Sequence, residues 1–364
     1  MKKKTVVATT LSTLLVSTAI LANAVQADEV ETHAAVTAPS TEVVATEATT
    51  NATSTAATTA SSESAAPVAS STSVVTASTA ETSETPAATA SETATAAATP
   101  TTEVVTNAST SASNDTVTVL HTNDVHGRMV EDDRNGVVGD ALLSGIVNDS
   151  RSKGTTLVFD SGDSFQGLPI SNSSKGEDMA SVMNAVGFDA MTVGNHEFDF
   201  GLENMARMFR QAKFPVVCAN YDFKNTPLDG LVKPYVVIER SGVKVGVFGL
   251  SPQLEGLVDN KNCEGVKYID PVEATFEIVK MLRNKEKCDV VVCLSHLGWD
   301  ESKDSGDKRL ISSTKGIDIV LGGHSHTYFK ELRYVANAEG KDVPDDQNGK
   351  HAVYVGKIIL SLSK

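Results

Sequence analysis

The residues most able to do chemistry stand in five short blocks between positions 124 and 326. Each block combines aspartate, asparagine or histidine with glycine or serine, and each follows a run of β-branched and apolar residues. The blocks are Asp124-Val125-His126-Gly127, Asp160-Ser161-Gly162-Asp163, Gly194-Asn195-His196-Glu197-Phe198-Asp199, Ser295-His296-Leu297-Gly298 and Gly322-Gly323-His324-Ser325-His326. Ligands of open α/β sheets collect at the carboxyl ends of the strands, so the five blocks are expected to converge on one crevice.

The residue types in these blocks indicate metal chemistry. Two carboxylates, an asparagine carbonyl and four imidazoles, without a thiolate, suit divalent ions such as Mn, Zn, Fe or Co better than Cu(I) or Ca. Seven donors are too many for one tetrahedral ion and fit two ions that share a carboxylate. Two metals about 4 Å apart can clamp an in-line displacement at phosphorus and stabilise charge on the phosphoryl oxygens.

Together and in this order, the five blocks resemble the calcineurin-like metallophosphoesterase superfamily. The third and fourth blocks narrow the resemblance to the secreted 5′-nucleotidase family of Gram-positive type, over roughly residues 116–335. The resemblance implies a four-layer α-β-β-α sandwich with two divalent metal ions as cofactors. It also implies a nucleotide substrate, with nucleoside 5′-monophosphates hydrolysed to nucleoside and phosphate.

Carried over position by position, the resemblance assigns a ligand set to each metal. The matching positions are Asp124, His126 and His326 at the first metal, Asp163 as the bridging carboxylate, and Asn195, His296 and His324 at the second metal. Some family members have glutamine at the position of His326. Whether the ions are Mn, Zn, Co or Fe stays open.

Two further residues match the family's catalytic pair. His196 matches the histidine that stabilises or protonates the developing charge, and Asp199 matches the carboxylate that holds its imidazole in position. The neighbouring carboxylates have simpler interpretations, since Asp160 is expected to cap the loop backbone and Glu197 to support its loop. Of the remaining histidines, His121 is expected to be buried and hydrogen-bonded and His351 to be solvated.

Alternating strand and helix patterns predict the scaffold that positions these blocks, a layered α/β domain. The predicted strands are 116–121, 156–159, 190–193, 214–218, 235–239, 244–250, 289–294, 317–321 and 352–355, with 354–360 as a last strand. The predicted helices are 140–151, 177–185, 202–212, 271–284 and 308–313. Asp270 before Pro271 favours a helix start, and Ser241-Gly242 favours a hairpin turn.

The first 115 residues are predicted to lie outside that domain, which spans 116–364. Three lysines, an apolar run over 6–21 and small residues before position 28 are typical of a signal peptide over 1–27, cleaved after Ala27 or, as an alternative, Ala24. An uncleaved membrane anchor is disfavoured because the apolar run is short. Residues 28–115 are rich in Ala, Thr and Ser and predict a disordered stalk. We therefore expect a secreted, extracellular protein, with cell-surface association open and no membrane span in the mature chain.

The overall charge excludes one class of partner. The 364 residues contain 31 Lys and Arg against 46 Asp and Glu, a net charge of −15, and no basic block. Binding to a nucleic acid polymer through its phosphate backbone is therefore not expected. The four cysteines, Cys218, Cys263, Cys288 and Cys293, are expected to be free thiols, with a disulfide at Cys263 left open. A monomer is expected.

The sequence leaves the substrate open. Members of the 5′-nucleotidase family typically bind base and ribose on a second, C-terminal domain, and the chain stops at Lys364, soon after the metal domain. We therefore expect that domain to be absent and hydrolysis to be weak and poorly selective. The alternatives are a 2′,3′-cyclic-nucleotide phosphodiesterase, a UDP-sugar hydrolase or a truncated, non-catalytic exported binding fragment.

Overall fold

The computed structural model describes residues 6–10, 104–106, 116–299 and 306–362. Apart from two short strands, the predicted signal peptide over 1–27 and stalk over 28–115 lie outside the described residues, and both stay predictions. Every helix in the described part of the chain is too short or too polar to span a bilayer.

β-branched runs form two mixed sheets of seven strands and one separate pair. The strands are β1 (Val6–Thr10), β2 (Val104–Thr106), β3 (Thr116–Thr122), β4 (Thr156–Asp160), β5 (Ala190–Thr192), β6 (Val216–Val217), β7 (Tyr221–Asp222), β8 (Val232–Lys233), β9 (Tyr235–Arg240), β10 (Val243–Leu250), β11 (Lys267–Tyr268), β12 (Val290–Ser295), β13 (Ile319–Leu321), β14 (Arg333–Ala336), β15 (Asp342–Asp346) and β16 (Gly356–Leu362). The first sheet has the order β1-β16-β3-β4-β5-β6-β8, the second β14-β15-β13-β12-β10-β9-β2, and β7 pairs with β11. In the first sheet β3 to β6 and β8 run parallel, and in the second β10, β12, β13 and β15 do. The carboxyl ends of these strands therefore lie along shared edges.

Helices cover the outer faces of both sheets. They are α1 (Gly139–Lys153), α2 (Pro169–Ser173), α3 (Glu177–Val186), α4 (Leu202–Gln211), α5 (Pro271–Lys280) and α6 (Asp307–Ser313), with a π-helical turn over Met281–Lys285 after α5. One apolar core packs α1, α3 and α4 on the first sheet, a second lies between the sheets, and a third packs α5 and α6 on the second sheet. These layers confirm the predicted four-layer α-β-β-α sandwich.

Two local predictions are confirmed by backbone geometry. The Asp270 side chain accepts hydrogen bonds from the backbone N–H groups of Val272 and Glu273, so it caps α5 as expected. Ser241 and Gly242 both have positive φ, 53° and 76°, and join the antiparallel strands β9 and β10. Positive φ at both central residues is the conformation that two-residue hairpins favour. All four cysteines are free, and only Cys263 is not fully buried.

The C-terminal part of the chain differs most from the prediction. The predicted strand over 352–355 is wrong, because Ala352 has a φ of 52° and those residues form a turn before β16. The strands β14 and β15 were not predicted. Polar strand β15 includes the buried carboxyls Asp345 and Asp346, and a charged run gives no apolar alternation by which a strand is recognised.

Candidate metal centre

Four loops at the carboxyl ends of strands bring predicted ligands together. Six of them form two groups in which the ligand atoms lie within 4.8 Å of one another. One group is Asp124, His126 and His326, and the other is Asp163, His296 and His324. The loops after β3 and β13 contribute to the first group and the loops after β4, β12 and β13 to the second.

The first group has the spacing of ligands around one ion. Nε2 of His126 lies 3.2 Å from Nε2 of His326, and the latter lies 3.3 Å from Oδ1 of Asp124. Ligands about 2.0–2.2 Å from one Zn-like ion lie about 3–3.5 Å apart in tetrahedral geometry. His126 Nδ1–H donates to the carbonyl of Gln166 at 3.3 Å, which leaves Nε2 as the free donor atom toward a metal.

Two buried polar atoms, one in the second group and one in the loop after β5, make no aligned hydrogen bond with the protein. Nε2 of His296 lies 2.9 Å from Oδ2 of Asp163, but the two are not aligned as a hydrogen bond. Oδ1 of Asn195 is also buried without a hydrogen bond. Buried polar atoms are normally satisfied, and an unsatisfied set of mixed N and O donors fits a divalent cation. His296 Nδ1–H donates to the carbonyl of Ser161 at 2.6 Å, so its Nε2 is the atom that faces the group.

The backbone at these ligands is strained. Five of the seven predicted ligands have a φ in the left-handed region that non-glycine residues rarely adopt: Asp124 (51°), His126 (50°), Asp163 (59°), His324 (69°) and His326 (55°). Such residues cost about 1–3 kcal/mol each and persist where surrounding structure determines them. Their concentration at one crevice indicates that the fold holds these side chains in place at the expense of stability.

Glu197 determines the shape of the loop after β4 that bears Asp163, which we name the bridging loop. It is 1% exposed, and its carboxylate accepts four backbone N–H groups, from Asp163, Ser164, Phe165 and Gly194, at 2.6–3.3 Å. Burial and the charge of Asp163 raise the pKa of Glu197 above its usual value, and the backbone donors offset part of that rise. Two donors on each oxygen leave no lone pair for a proton, so we assign the ionised form. The expected supporting role of Glu197 is confirmed.

The predicted histidine ligands differ in the direction in which their surroundings shift the pKa. Burial lowers the pKa of His296, but the carboxylates of Asp163 and Asp124 outweigh it and raise the pKa to about 10. A divalent ion competes with that proton for the same nitrogen. Burial lowers the pKa of His324 to about 4 and also lowers that of His126, so both are neutral at pH 7. Neutral imidazole is the form that binds metals.

His196 lies beside the first group and is held by a carboxylate. Its Nδ1–H donates to Oδ2 of Asp199 at 2.9 Å, its backbone N–H donates to Oδ1 of Asp163 at 2.8 Å, and its ring centroid is 5.2 Å from that of His126. The hydrogen bond to Asp199, against the opposing effect of burial, raises the pKa of His196 to about 9. Its side chain is 39% exposed, so a protonated imidazole faces the open side of the crevice.

The remaining polar residues follow expectation, with one exception. Asp160 accepts hydrogen bonds from Thr122, Ser164 and the Gly162 backbone, as expected of a loop cap. His121 is buried against Asp346 and Asn348, as predicted. The prediction that His351 is solvated is wrong: it is half-buried and its ring centroid lies 5.8 Å from that of His126. His351 lies outside the five Asp, Asn and His blocks that follow strands, so the sequence around it did not indicate that it would lie near the site.

The layered fold and its paired carboxylate–imidazole groups define a metallophosphoesterase-type domain. The family model for calcineurin-like phosphoesterases matches residues 117–328, more than half of the chain. The chain therefore belongs to the calcineurin-like phosphoesterase family.

Several of the similar proteins are 5′-nucleotidases by name. The chain is 32% identical over 268 residues to protein UshA of Yersinia enterocolitica and 31% identical over 245 residues to the 5′-nucleotidase of Bos taurus. These matches cover 66% and 64% of this chain, but 48% and 41% of the relatives. The crystal structure of a 5′-nucleotidase precursor from Thermus thermophilus superposes with a TM-score of 0.60 and 30% identity, covering 67% of this chain and 51% of that one. The chain thus spans about half the length of the curated relatives it matches.

Proposed function

We propose that this protein is a secreted phosphoesterase of the 5′-nucleotidase type that uses two divalent ions to hydrolyse nucleoside 5′-monophosphates to nucleoside and phosphate. The observation that carries the proposal is the pair of ligand groups beside the His196–Asp199 hydrogen bond. The 5′-nucleotidase relatives support the substrate class, and the signal-peptide pattern over 1–27 supports secretion.

The residues of the two groups would hold the ions. Asp124, His126 and His326 would hold the first, Asn195, His296 and His324 would hold the second, and Asp163 would be the carboxylate that both share. When bound, such ions stabilise charge on the phosphoryl oxygens and lower the pKa of an attacking water. The metal could be Mn, Zn, Co or Fe, since the donor set suits each.

His196 would act on the side of the crevice that is open to solvent. Its raised pKa keeps the imidazole protonated at neutral pH. A protonated imidazole can donate a hydrogen bond to a phosphoryl oxygen or a proton to the leaving oxygen. Asp199 holds the ring through Nδ1, so Nε2 is left to face the substrate.

The proposal is tested by hydrolysis of several phosphoesters by the full chain, metal-free and after loading with Mn²⁺. We expect Mn-dependent phosphate release from AMP, with slower release from p-nitrophenyl phosphate. His196→Ala should reduce AMP hydrolysis by about 10²–10⁴-fold. Lys213→Gln, at an exposed position outside the crevice, is the control.

Other outcomes distinguish the alternatives. Preferential turnover of a 2′,3′-cyclic nucleotide or of UDP-glucose would replace the monophosphate substrate and keep the metal chemistry. Binding of Mn²⁺ without turnover of any phosphoester would overturn the proposal in favour of a non-catalytic binding protein.

A further inference from the structure

The loop that joins β10 to β11, residues 251–266, lies against the block 194–199 that bears His196 and Asp199. It starts at the carboxyl end of a strand in the second sheet, whereas the block follows β5 in the first sheet. The β10–β11 loop contains none of the predicted ligands and neither member of the catalytic pair. Its contacts with the block are therefore not explained by metal binding.

The β10–β11 loop holds the residue that precedes the block. The hydroxyl of Ser251 donates to the carbonyl of Val193, and both residues are completely buried. The side chain of Asn220 donates to the Ser251 carbonyl at 2.7 Å and accepts from the Ser251 backbone N–H at 2.9 Å. A buried polar network with its members paired is rigid, so the start of the block is fixed to the second sheet.

An aromatic contact holds the middle of the block. Phe198 is completely buried, and its ring meets that of Tyr221 edge to face, with the centroids 5.9 Å apart. The hydroxyl of Tyr221 donates to the carbonyl of Pro252 in the β10–β11 loop. The short helical turn His196–Phe198 is therefore connected to the same loop through its last residue.

Asn262 holds the end of the block. Its Nδ2–H donates to the backbone carbonyl of Asp199 at 2.9 Å, and Oδ2 of Asp199 accepts from Nδ1–H of His196 at 2.9 Å. The side chains of Asp199 and His196 are 31% and 39% exposed. Packing alone does not fix side chains that are this open to solvent, so the hydrogen bond to the Asp199 backbone matters for their position.

The direction of the Asn262 side chain is fixed by its own short turn, Asn260–Asn262. The backbone N–H of Asn262 donates to the carbonyl of Asp259 at 2.8 Å, and the Asp259 side chain accepts from the backbone N–H of Lys261 at 3.1 Å. Asn262 is half-buried, whereas Asn260 on the same turn is exposed. The cap therefore presents one asparagine to the block and leaves the other in solvent.

We propose that Asn262 is a positioning residue for the catalytic pair: its hydrogen bond fixes the backbone of Asp199 and thereby directs the imidazole of His196 toward the reacting group. This inference rests on the proposed function, because it assigns Asn262 to the reaction of that centre. Asn262 itself acts only through Asp199 and His196. A displacement of about 1 Å in a group that acts on the transition state can lower the rate by up to about 100-fold.

The first test measures AMP hydrolysis by the Mn-loaded full chain and by variants at position 262. Asn262→Ala should lower kcat about tenfold, as expected for one lost hydrogen bond, with KM and bound Mn²⁺ unchanged. Asn262→Asp has the same shape but presents an oxygen to a carbonyl, so it should lower kcat at least as much. Asn262→Gln keeps the amide donor and should recover part of the loss. Asn260→Ala, on the exposed side of the same turn, is the matched control and should leave kcat unchanged.

A double-variant cycle separates positioning from a general effect on the loop. If Asn262 acts through His196, adding Asn262→Ala to His196→Ala should lower kcat by less than about twofold further. The second readout needs no turnover. The low-field proton resonance of the His196 Nδ1–H, assigned by its loss in His196→Ala, is visible while the hydrogen bond to Asp199 slows exchange with water. In metal-free Asn262→Ala it should broaden, and in Asn260→Ala it should not.

Three results would overturn the role of Asn262. They are an unchanged kcat in both Asn262→Ala and Asn262→Asp, an equal proportional loss with and without His196, and a loss of kcat that matches a loss of bound Mn²⁺. If the wild-type protein hydrolyses AMP and one of these is found, Asn262 fails and the proposed function stands. If the wild-type protein hydrolyses no phosphoester, the proposed function fails, and the His196 resonance still decides the role of Asn262, which an unchanged resonance in both variants would refute.

Discussion

The Glu197→Gln variant should unfold at a much lower urea concentration than a variant with the same substitution at the protein surface. The carboxylate accepts two backbone N–H groups on each oxygen, from Asp163 and Gly194 on Oε2 and from Ser164 and Phe165 on Oε1. Glutamine keeps one acceptor oxygen and turns the other into an NH₂ donor. Two backbone donors then lose their acceptor and face a third donor at a buried site.

The size of the effect follows from the bonds removed. A hydrogen bond to a charged acceptor contributes about 1.5–3 kcal/mol, so two such bonds amount to about 3–6 kcal/mol before the loop relaxes. Relaxation toward solvent offsets part of this, and we expect a loss of about 3 kcal/mol in the free energy of unfolding. The same loop carries Asp163, so the variant should also bind Mn²⁺ more weakly.

The assay is urea unfolding of the metal-free and Mn-loaded proteins, with bound metal counted after dialysis. Glu203→Gln is the matched control, because Glu203 is exposed on α4 and a surface change there should stay within about 0.5 kcal/mol. Equal unfolding midpoints for Glu197→Gln and Glu203→Gln, with equal Mn²⁺ retained, would refute the assignment of Glu197 as the organiser of the loop.

Three further changes test other parts of the structure. Burial raises the pKa of Asp140 to about 7, so this carboxyl stays protonated in the folded protein at a pH where it ionises in the unfolded chain. The stability that it contributes is complete below pH 4 and is lost as the pH rises through about 7, by up to about 4 kcal/mol. Thermal unfolding should therefore show Asp140→Asn to be more stable than the wild-type protein at pH 8 but not at pH 4. Gly194→Ala would place a Cβ 2.6 Å from a backbone nitrogen of the loop after β4, so bound Mn²⁺ should fall sharply by elemental analysis, whereas Gly145→Ala, with open space around it, should not lower it. Asp199→Asn removes the negative charge of the acceptor whose hydrogen bond raises the pKa of His196 to about 9. The alkaline limb of the kcat profile for AMP should therefore move to lower pH, and an unmoved limb would contradict the role of the pair.

Much of the scaffold and the ligand positions followed from local sequence patterns. Apolar runs predicted β3, β4, β10 and β12 to within one residue or two, and Asp270-Pro271 predicted the start of α5. The blocks after the strands predicted which side chains would meet, because the carboxyl ends of parallel strands share an edge. The structure brings six of the seven predicted ligands into two groups.

The parts that were missed depend on contacts between distant segments. Strand β15 consists largely of acidic residues, and its burial is possible only because the fold surrounds Asp345 and Asp346. His351 belongs to no chemical block and reaches the site through a left-handed turn at the end of the chain. A sequence pattern reports period and residue type, and it contains no information on which turn a distant loop is packed against.

The most direct measurement is AMP hydrolysis by the full chain as a function of the number of Mn²⁺ ions bound, counted by elemental analysis during titration of metal-free protein. We predict binding of about two ions per chain, with phosphate release that depends on filling both positions. Failure to bind metal at neutral pH, or phosphate release that is the same with and without bound metal, would contradict the two-metal centre.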